Sequence, residues 1–123
     1  MTTIAVLMLL AALLPMLTSL LAKVGGQGFD NEAPRVWLGK QQGWRARANA
    51  AQTNLFESLP FFFGAVLFAL WHEAGVVHLG GLMGVWLLLR AGYVGLYVAG
   101  KGTWRSIVWA GAFAVNVAIL FAG

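Results

Sequence analysis

The sequence predicts an all-α integral membrane protein, built as one four-helix bundle. An apolar composition, four segments of membrane-spanning length and two very short connections support this fold class. The chain has 123 residues, of which 60% are hydrophobic and 10% are charged, whereas soluble domains carry about 25% charged residues. A soluble domain of this length could not bury so much apolar surface, but a lipid environment removes that requirement.

Four helices are predicted at about residues 4–22, 46–71, 76–98 and 104–121, because about 20 apolar residues cross a bilayer. The first lacks a basic region before it and is too long for a secretory signal, so we expect a retained helix. Residues 23–45 are predicted to form a long polar loop, while HEAG and GKGT are tight turns. A single domain over residues 1–123 is the simplest organisation.

The basic residues are distributed unevenly along the chain. The second connection and both termini contain none, which predicts that both termini lie outside and that the long loop is cytoplasmic. The net charge of +4 is therefore assigned to topology and to contact with membrane lipid, and not to nucleic acid. All eight lie in or toward the first and third connections: Lys23, Arg35, Lys40, Arg45, Arg47, Arg90, Lys101 and Arg105.

The chain has no Cys, which excludes a disulfide framework, a thiolate metal site and a cysteine nucleophile. Two His side chains, His72 and His78, lie near Glu73. They lack a recognisable spacing of metal ligands. We therefore predict no metal site and interpret both as interfacial histidines.

Two ionisable residues fall inside predicted spans. Glu57 in the second helix and Arg90 in the third each cost at least about 2.5–3.5 kcal/mol at the bilayer centre. With a rise of about 1.5 Å per residue they lie at similar depth, so an ion pair between them is predicted. The pair could simply lock two helices together.

Further polar residues share the faces of these two. Asn54 lies one turn before Glu57, and two tyrosines continue the stripe of Arg90. The tyrosines could also belong to an ordinary interfacial belt. Because cations outnumber carboxylates, the predicted cytoplasmic pocket favours an anionic or zwitterionic ligand. Its candidate residues are Arg47, Gln52, Asn54, Glu57, Arg90, Tyr93, Tyr97, Arg105 and Ser106.

The stretch AAQTNLFESLPFF, residues 50–62, resembles the signature of the MAPEG family, the membrane-associated proteins of eicosanoid and glutathione metabolism. The matching positions are Ala51, Gln52, Asn54, Glu57 and Pro60. RAGYVGLYVAGKGTWRS, residues 90–106, is similar to the family's third helix and to the Arg-Ser that opens its last helix. The opening GWRARANAAQ looks like that of a bacterial branch.

The resemblance implies a left-handed bundle that assembles as a homotrimer in the bacterial inner membrane, with sites between subunits open to the cytoplasm and to lipid. It implies a microsomal-type glutathione transferase or peroxidase acting on lipophilic electrophiles or lipid hydroperoxides. Glutathione would be the co-substrate, although another low-molecular-weight thiol remains an alternative. The attacking sulfur would belong to that thiol, which suits a chain without Cys.

The resemblance also implies residue roles. Asn54 and Glu57 would hold the glutathione backbone, and Gln52 and Arg90 would support them. Tyr93 and Tyr97 would contact the cysteinyl and glycyl parts. Arg105 would favour the thiolate, since an adjacent cation lowers a thiol pKa, and Ser106 is an alternative thiol partner.

Ala50 stands where the family usually has an arginine that binds a glutathione carboxylate. Arg47, one turn earlier, is the candidate replacement. The loss of this cation favours a second hypothesis, a non-catalytic lipid-binding or scaffold protein, which includes a subunit of a larger membrane complex. A small multidrug transporter is disfavoured because the first helix lacks an acidic residue.

Overall fold

A computed structural model describes residues 1–123 and is entirely helical outside turns and loops. The five helices are α1 (Thr2–Lys23), α2 (Pro34–Gly39), α3 (Trp44–Trp71), α4 (Val76–Val98) and α5 (Gly102–Leu120). Four of them, α1, α3, α4 and α5, are long and apolar enough to cross a membrane. The prediction of four helices of membrane-spanning length and composition is thus confirmed, and their ends lie within two residues of the predicted ones.

The helices α3 and α4 occupy the centre of the bundle. Each packs against all the other long helices, whereas α1 and α5 have no extensive contact with each other. The main core lies between the four long helices, where the Phe62 and Trp86 rings stack with centroids 3.9 Å apart. This order places the face of α4 that carries Arg90 between α3 and α5.

Residues 23–45 contain a short helix, α2, in place of the uninterrupted polar loop that was predicted. Pro34 begins it. Proline is tolerated at the first position of a helix, because the N–H that it lacks would have no hydrogen-bond partner within the helix. The Trp37 indole donates to the carbonyl of Gln27 at 3.0 Å and packs edge-on against Phe29, with centroids 5.1 Å apart. The apolar face of this six-residue helix was too short to show periodicity.

Two arginines in the first turn of α3 bind the ends of other helices. Arg45 donates to the carbonyl of Ala22 at 2.9 Å, and Arg47 donates to the carbonyl of Val98 at 3.0 Å. The last carbonyls of a helix have no partner within it, so these cations satisfy groups that would otherwise be unpaired. The ends of α1 and α4 and the start of α3, which the charge pattern predicts to be cytoplasmic, are thereby joined.

Gly26 lies directly against the Trp37 ring, and a side chain there would collide with that ring. We expect Gly26→Ala to lower the free energy of unfolding by about 1–3 kcal/mol, because an added methyl in a filled space forces its neighbours to move. Denaturant titration of the purified protein in detergent measures this change. Gly39→Ala is the matched control, since its added methyl enters open space, and equal effects of both substitutions would contradict the expected contact.

Candidate functional site

Arg90 is the central charged residue of the site. It lies on α4 and is only 2% exposed. One Nη2 hydrogen bond joins it to Oδ1 of Asn54 at 2.6 Å, and a longer one joins it to Oγ of Ser58 at 3.5 Å. The guanidinium also lies 4.4 Å from the Tyr93 ring centroid, within the range of a cation–π contact.

The predicted ion pair between Glu57 and Arg90 is wrong, because Arg90 bonds Asn54 and Glu57 is exposed. The reason is the helical period of about 100° per residue. Ser58 lies about 40° from Asn54 on one side of α3, while Glu57 lies about 60° away on the other. Arg90 meets the face of Asn54 and Ser58, so Glu57 is turned toward the outside of the bundle.

Two tyrosine rings lie between two arginine cations along the boundary between α4 and α5. The Tyr93 and Tyr97 rings meet edge to face, with centroids 5.6 Å apart. The Arg105 guanidinium lies 4.3 Å from the Tyr97 centroid. Tyr97 and Arg105 are both half-buried, so their polar groups remain accessible from outside the bundle.

These residues surround a pocket of about 300 Å³, which we call the outer pocket. It brings together five predicted site residues that are distant in sequence, from α3, α4 and α5. Its walls carry a phenol pair, an amide, a hydroxyl and a cation, which suits a polar ligand with a negative group. The lining residues are Asn54, Tyr93, Tyr97, Arg105, Ser106 and Trp109.

Gln52 and Glu57 do not line the outer pocket. They line a second concavity of about 430 Å³, the side pocket, which also includes Asn49 and Arg35. The Gln52 amide donates to Oδ1 of Asn49 at 2.8 Å. The side pocket lies on the outward face of α3, beside α2, so these residues do not converge on Arg105 within one chain.

Arg47 does not lie where it could replace the cation missing at Ala50. Its Nε donates to Val98 at the C-terminal end of α4, and its guanidinium lies near Gly100. It lines neither the outer nor the side pocket. The structure therefore gives Arg47 a helix-capping contact and not a place beside Asn54.

A third space, which we call the inner cavity, lies between α3, α4 and α5 and measures about 240 Å³. Its polar lining consists of Asn54, Glu57, Ser58, Arg90 and Asn116. Asn116 is 3% exposed and was not predicted. The available signal was a single amide within the apolar run AFAVNVAIL.

Sequence reasoning also missed the contributions of Arg35, Ser58 and Trp109. Arg35 was counted only as a topology charge, and Ser58 and Trp109 were not among the candidate site residues. Helix α2 brings Arg35 to the side pocket that Glu57 also lines, and this position depends on the folding of the long loop. No group of three or more His, Asp or Glu side chains is placed to hold a metal ion.

Comparison with known proteins identifies the family of the chain. The MAPEG family model matches residues 1–123, the whole chain. No curated protein and no solved structure shows a significant match. Because the family match covers the full length, the chain belongs to the MAPEG family, which includes glutathione transferases and peroxidases.

Proposed function

We propose that this protein is a membrane-bound, glutathione-dependent transferase or peroxidase acting on lipophilic electrophiles or lipid hydroperoxides. The observation that carries the proposal is the position of Arg105, with its guanidinium against Tyr97 in the outer pocket. A cation there favours a bound thiolate, because a neighbouring positive charge lowers the pKa of a thiol. Family members generally use glutathione.

In the transferase reaction, the thiolate of glutathione attacks the electrophilic atom of the second substrate. A carbon–sulfur bond forms, and the leaving group departs with the bonding electron pair. Arg105 holds the thiolate until the electrophile arrives, and Ser106 offers a hydroxyl hydrogen bond beside it. The thiol proton leaves to solvent through the accessible side of the outer pocket.

The rest of glutathione would bind to polar groups on α3 and α4. Asn54 and Tyr93 belong to the outer pocket, and Arg90 orients Asn54 through the 2.6 Å hydrogen bond. Glu57 would accept from the amino group of the ligand, supported by Gln52. Arg35 lies in the side pocket with both, so it is better placed than Arg47 to replace the cation missing at Ala50.

A homotrimer would unite the two groups of residues. The outer pocket and the side pocket lie on different faces of one subunit, and Glu57 is exposed within a membrane-spanning helix. An uncompensated carboxylate facing lipid is costly. If the side pocket of one subunit faces the outer pocket of its neighbour, Glu57 is shielded and each site contains Arg105 from one chain and Glu57 from the next.

The proposed localisation rests on the distribution of basic residues along the chain. We propose a bacterial inner membrane, with both termini outside and the site on the cytoplasmic side. The ends of α1 and α4 and the starts of α3 and α5 lie together and carry Lys23, Arg45, Arg47, Lys101 and Arg105. Basic residues concentrate on the cytoplasmic side of membrane proteins, where glutathione is also available.

Arg105→Ala should lower kcat by roughly 10²–10³-fold, the usual effect of removing one group that stabilises the reacting charge. The measurement is conjugation of glutathione to a chromogenic aryl halide, with thiolate formation followed by ultraviolet absorbance. Lys101→Ala is the matched control, because Lys101 is exposed near the start of α5 and lines none of the described pockets. An unchanged rate in a well-folded Arg105→Ala protein would remove Arg105 from the mechanism.

Glu57→Gln should weaken glutathione binding by roughly tenfold or more, since a hydrogen bond to a charged group contributes about 1.5–3 kcal/mol. Calorimetry on detergent-purified protein measures the change in Kd. Glu73→Gln is the control, because Glu73 lies in the turn between α3 and α4, at the opposite end of the bundle. No binding by the unaltered protein up to millimolar glutathione would leave the lipid-binding or scaffold hypothesis.

Native mass spectrometry of the protein released from detergent should show three copies. At a glutathione concentration too low to saturate Glu57→Gln, Glu57→Gln and Arg105→Ala proteins that are mixed and reassembled should be more active than the two measured separately, because some sites would then take both natural residues from different chains. Glu73→Gln mixed with Arg105→Ala gives the reference level. A monomeric mass, or no recovery in mixed assemblies, would contradict a site shared between subunits.

A further inference from the structure

Two buried side chains that line the inner cavity each have one polar atom without a hydrogen-bond partner in the protein. These atoms are Nε of Arg90 and Oδ1 of Asn116. Both side chains are more than nine-tenths buried, and both line the same cavity. A buried polar atom left unpaired costs about 1–3 kcal/mol, so two of them beside one cavity indicate an occupant that pairs with both.

The chemistry of the two groups selects the occupant. Nε of Arg90 can only donate, so the occupant must accept a hydrogen bond there. The Asn116 amide presents either its oxygen or its nitrogen, since the two can exchange by rotation. A hydroxyl group accepts from Arg90 and pairs with Asn116 in either orientation, whereas a carboxylate or phosphate pairs with only one.

Asn54, Glu57 and Ser58 complete the polar lining, and the rest of the wall is apolar and reaches the surface of the bundle. Phe61 and Phe113 have ring centroids 5.7 Å apart, and Trp109 stacks on Phe113 with centroids 5.6 Å apart. Trp109 and Phe113 are 41% and 48% exposed. In a membrane-spanning helix such exposure faces lipid or a neighbouring subunit, so a molecule dissolved in the membrane can approach the cavity sideways.

The size of the inner cavity limits the occupant further. At about 240 Å³ it is larger than the cavity of about 150 Å³ that holds benzene. It is smaller than the roughly 300–1,000 Å³ of sites for drug-sized ligands. The occupant is therefore one hydroxyl on an apolar body somewhat larger than a benzene ring.

We propose that the inner cavity is a binding site for a small, membrane-soluble alcohol or phenol. Its hydroxyl lies between Arg90 and Asn116, and its apolar body lies against Phe61 and Phe113. The inner cavity shares Asn54, Glu57 and Arg90 with the proposed glutathione site, but its test contains no thiol and varies Asn116, which has no part in that site. Arg90 borders both spaces, with Nη2 on Asn54 and Nε free for the cavity.

The test is photolabelling of the detergent-purified protein with an aryl diazirine that carries a benzylic hydroxyl. The matched probe has a methyl group in place of the hydroxyl. Mass spectrometry of the fragments should find the hydroxyl probe on Phe61, Trp109 or Phe113, displaced by excess benzyl alcohol. Labelling of these residues by the methyl probe should be roughly fivefold weaker, the effect of about one hydrogen bond.

Asn116→Leu should lower the apparent affinity for the hydroxyl probe roughly fivefold, and Asn116→Thr, which replaces the amide with a hydroxyl that can also pair with the probe, should retain most of it. Thr18→Val is the control, because it removes a different buried polar group, a hydroxyl bonded within α1 and absent from the cavity. Equal labelling by both probes, or full affinity in Asn116→Leu, would overturn the proposal. If Asn116→Leu fails to fold, the probe comparison on the unaltered protein still decides.

Discussion

The hydrogen bond between Arg90 and Asn54 is the interaction on which the rest of the site depends. The charge of a guanidinium inside a membrane-spanning bundle needs a polar partner. Without one, its burial costs about 2.5–3.5 kcal/mol or more. At 2.6 Å, Asn54 compensates it, with Ser58 at a longer distance. This contact fixes the rotation of α4 against α3, and that rotation directs Tyr93 and Tyr97 toward α5.

From Arg90 onward, the order of groups across the site is determined by packing. The Tyr93 ring covers the guanidinium, Tyr97 meets Tyr93 edge to face, and Arg105 lies over Tyr97. Two cations are thus separated by two aromatic rings, which attract both of them through their faces. The arrangement holds Arg105 beside an accessible pocket without an anionic partner from the same chain, so its charge stays available to a ligand.

The same arginine connects two spaces of different character. Nη2 contributes to the polar framework of the outer pocket through Asn54, while Nε borders the aromatic inner cavity. An occupant of the inner cavity and a thiol in the outer pocket would therefore both act on the orientation of one guanidinium. Such a shared group can couple two sites, because each ligand favours the side-chain position that suits it.

The sequence by itself determined the fold class, the four membrane-spanning helices and the family, because hydrophobicity over 20 residues and local motifs require no knowledge of contacts. Sequence reasoning also named five of the six residues that line the outer pocket, all except Trp109. Only the tertiary structure decided their pairing: Arg90 bonds Asn54, and Glu57 faces outward. The pairing depends on the rotation of α4 against α3. The stripe of polar residues on α3 does not determine that rotation, because both Asn54 and Glu57 belong to the stripe.

Helix α2 with Arg35, the capping contact of Arg47 and the buried amide of Asn116 also required the structure. Each depends on contacts between segments distant in the chain, as in the 51-residue separation between Arg47 and Val98. A polar residue in an apolar run shows that its burial carries a free-energy cost, which a hydrogen-bonding partner has to meet. The sequence does not show which partner meets it, because the partner is set by how the helices pack.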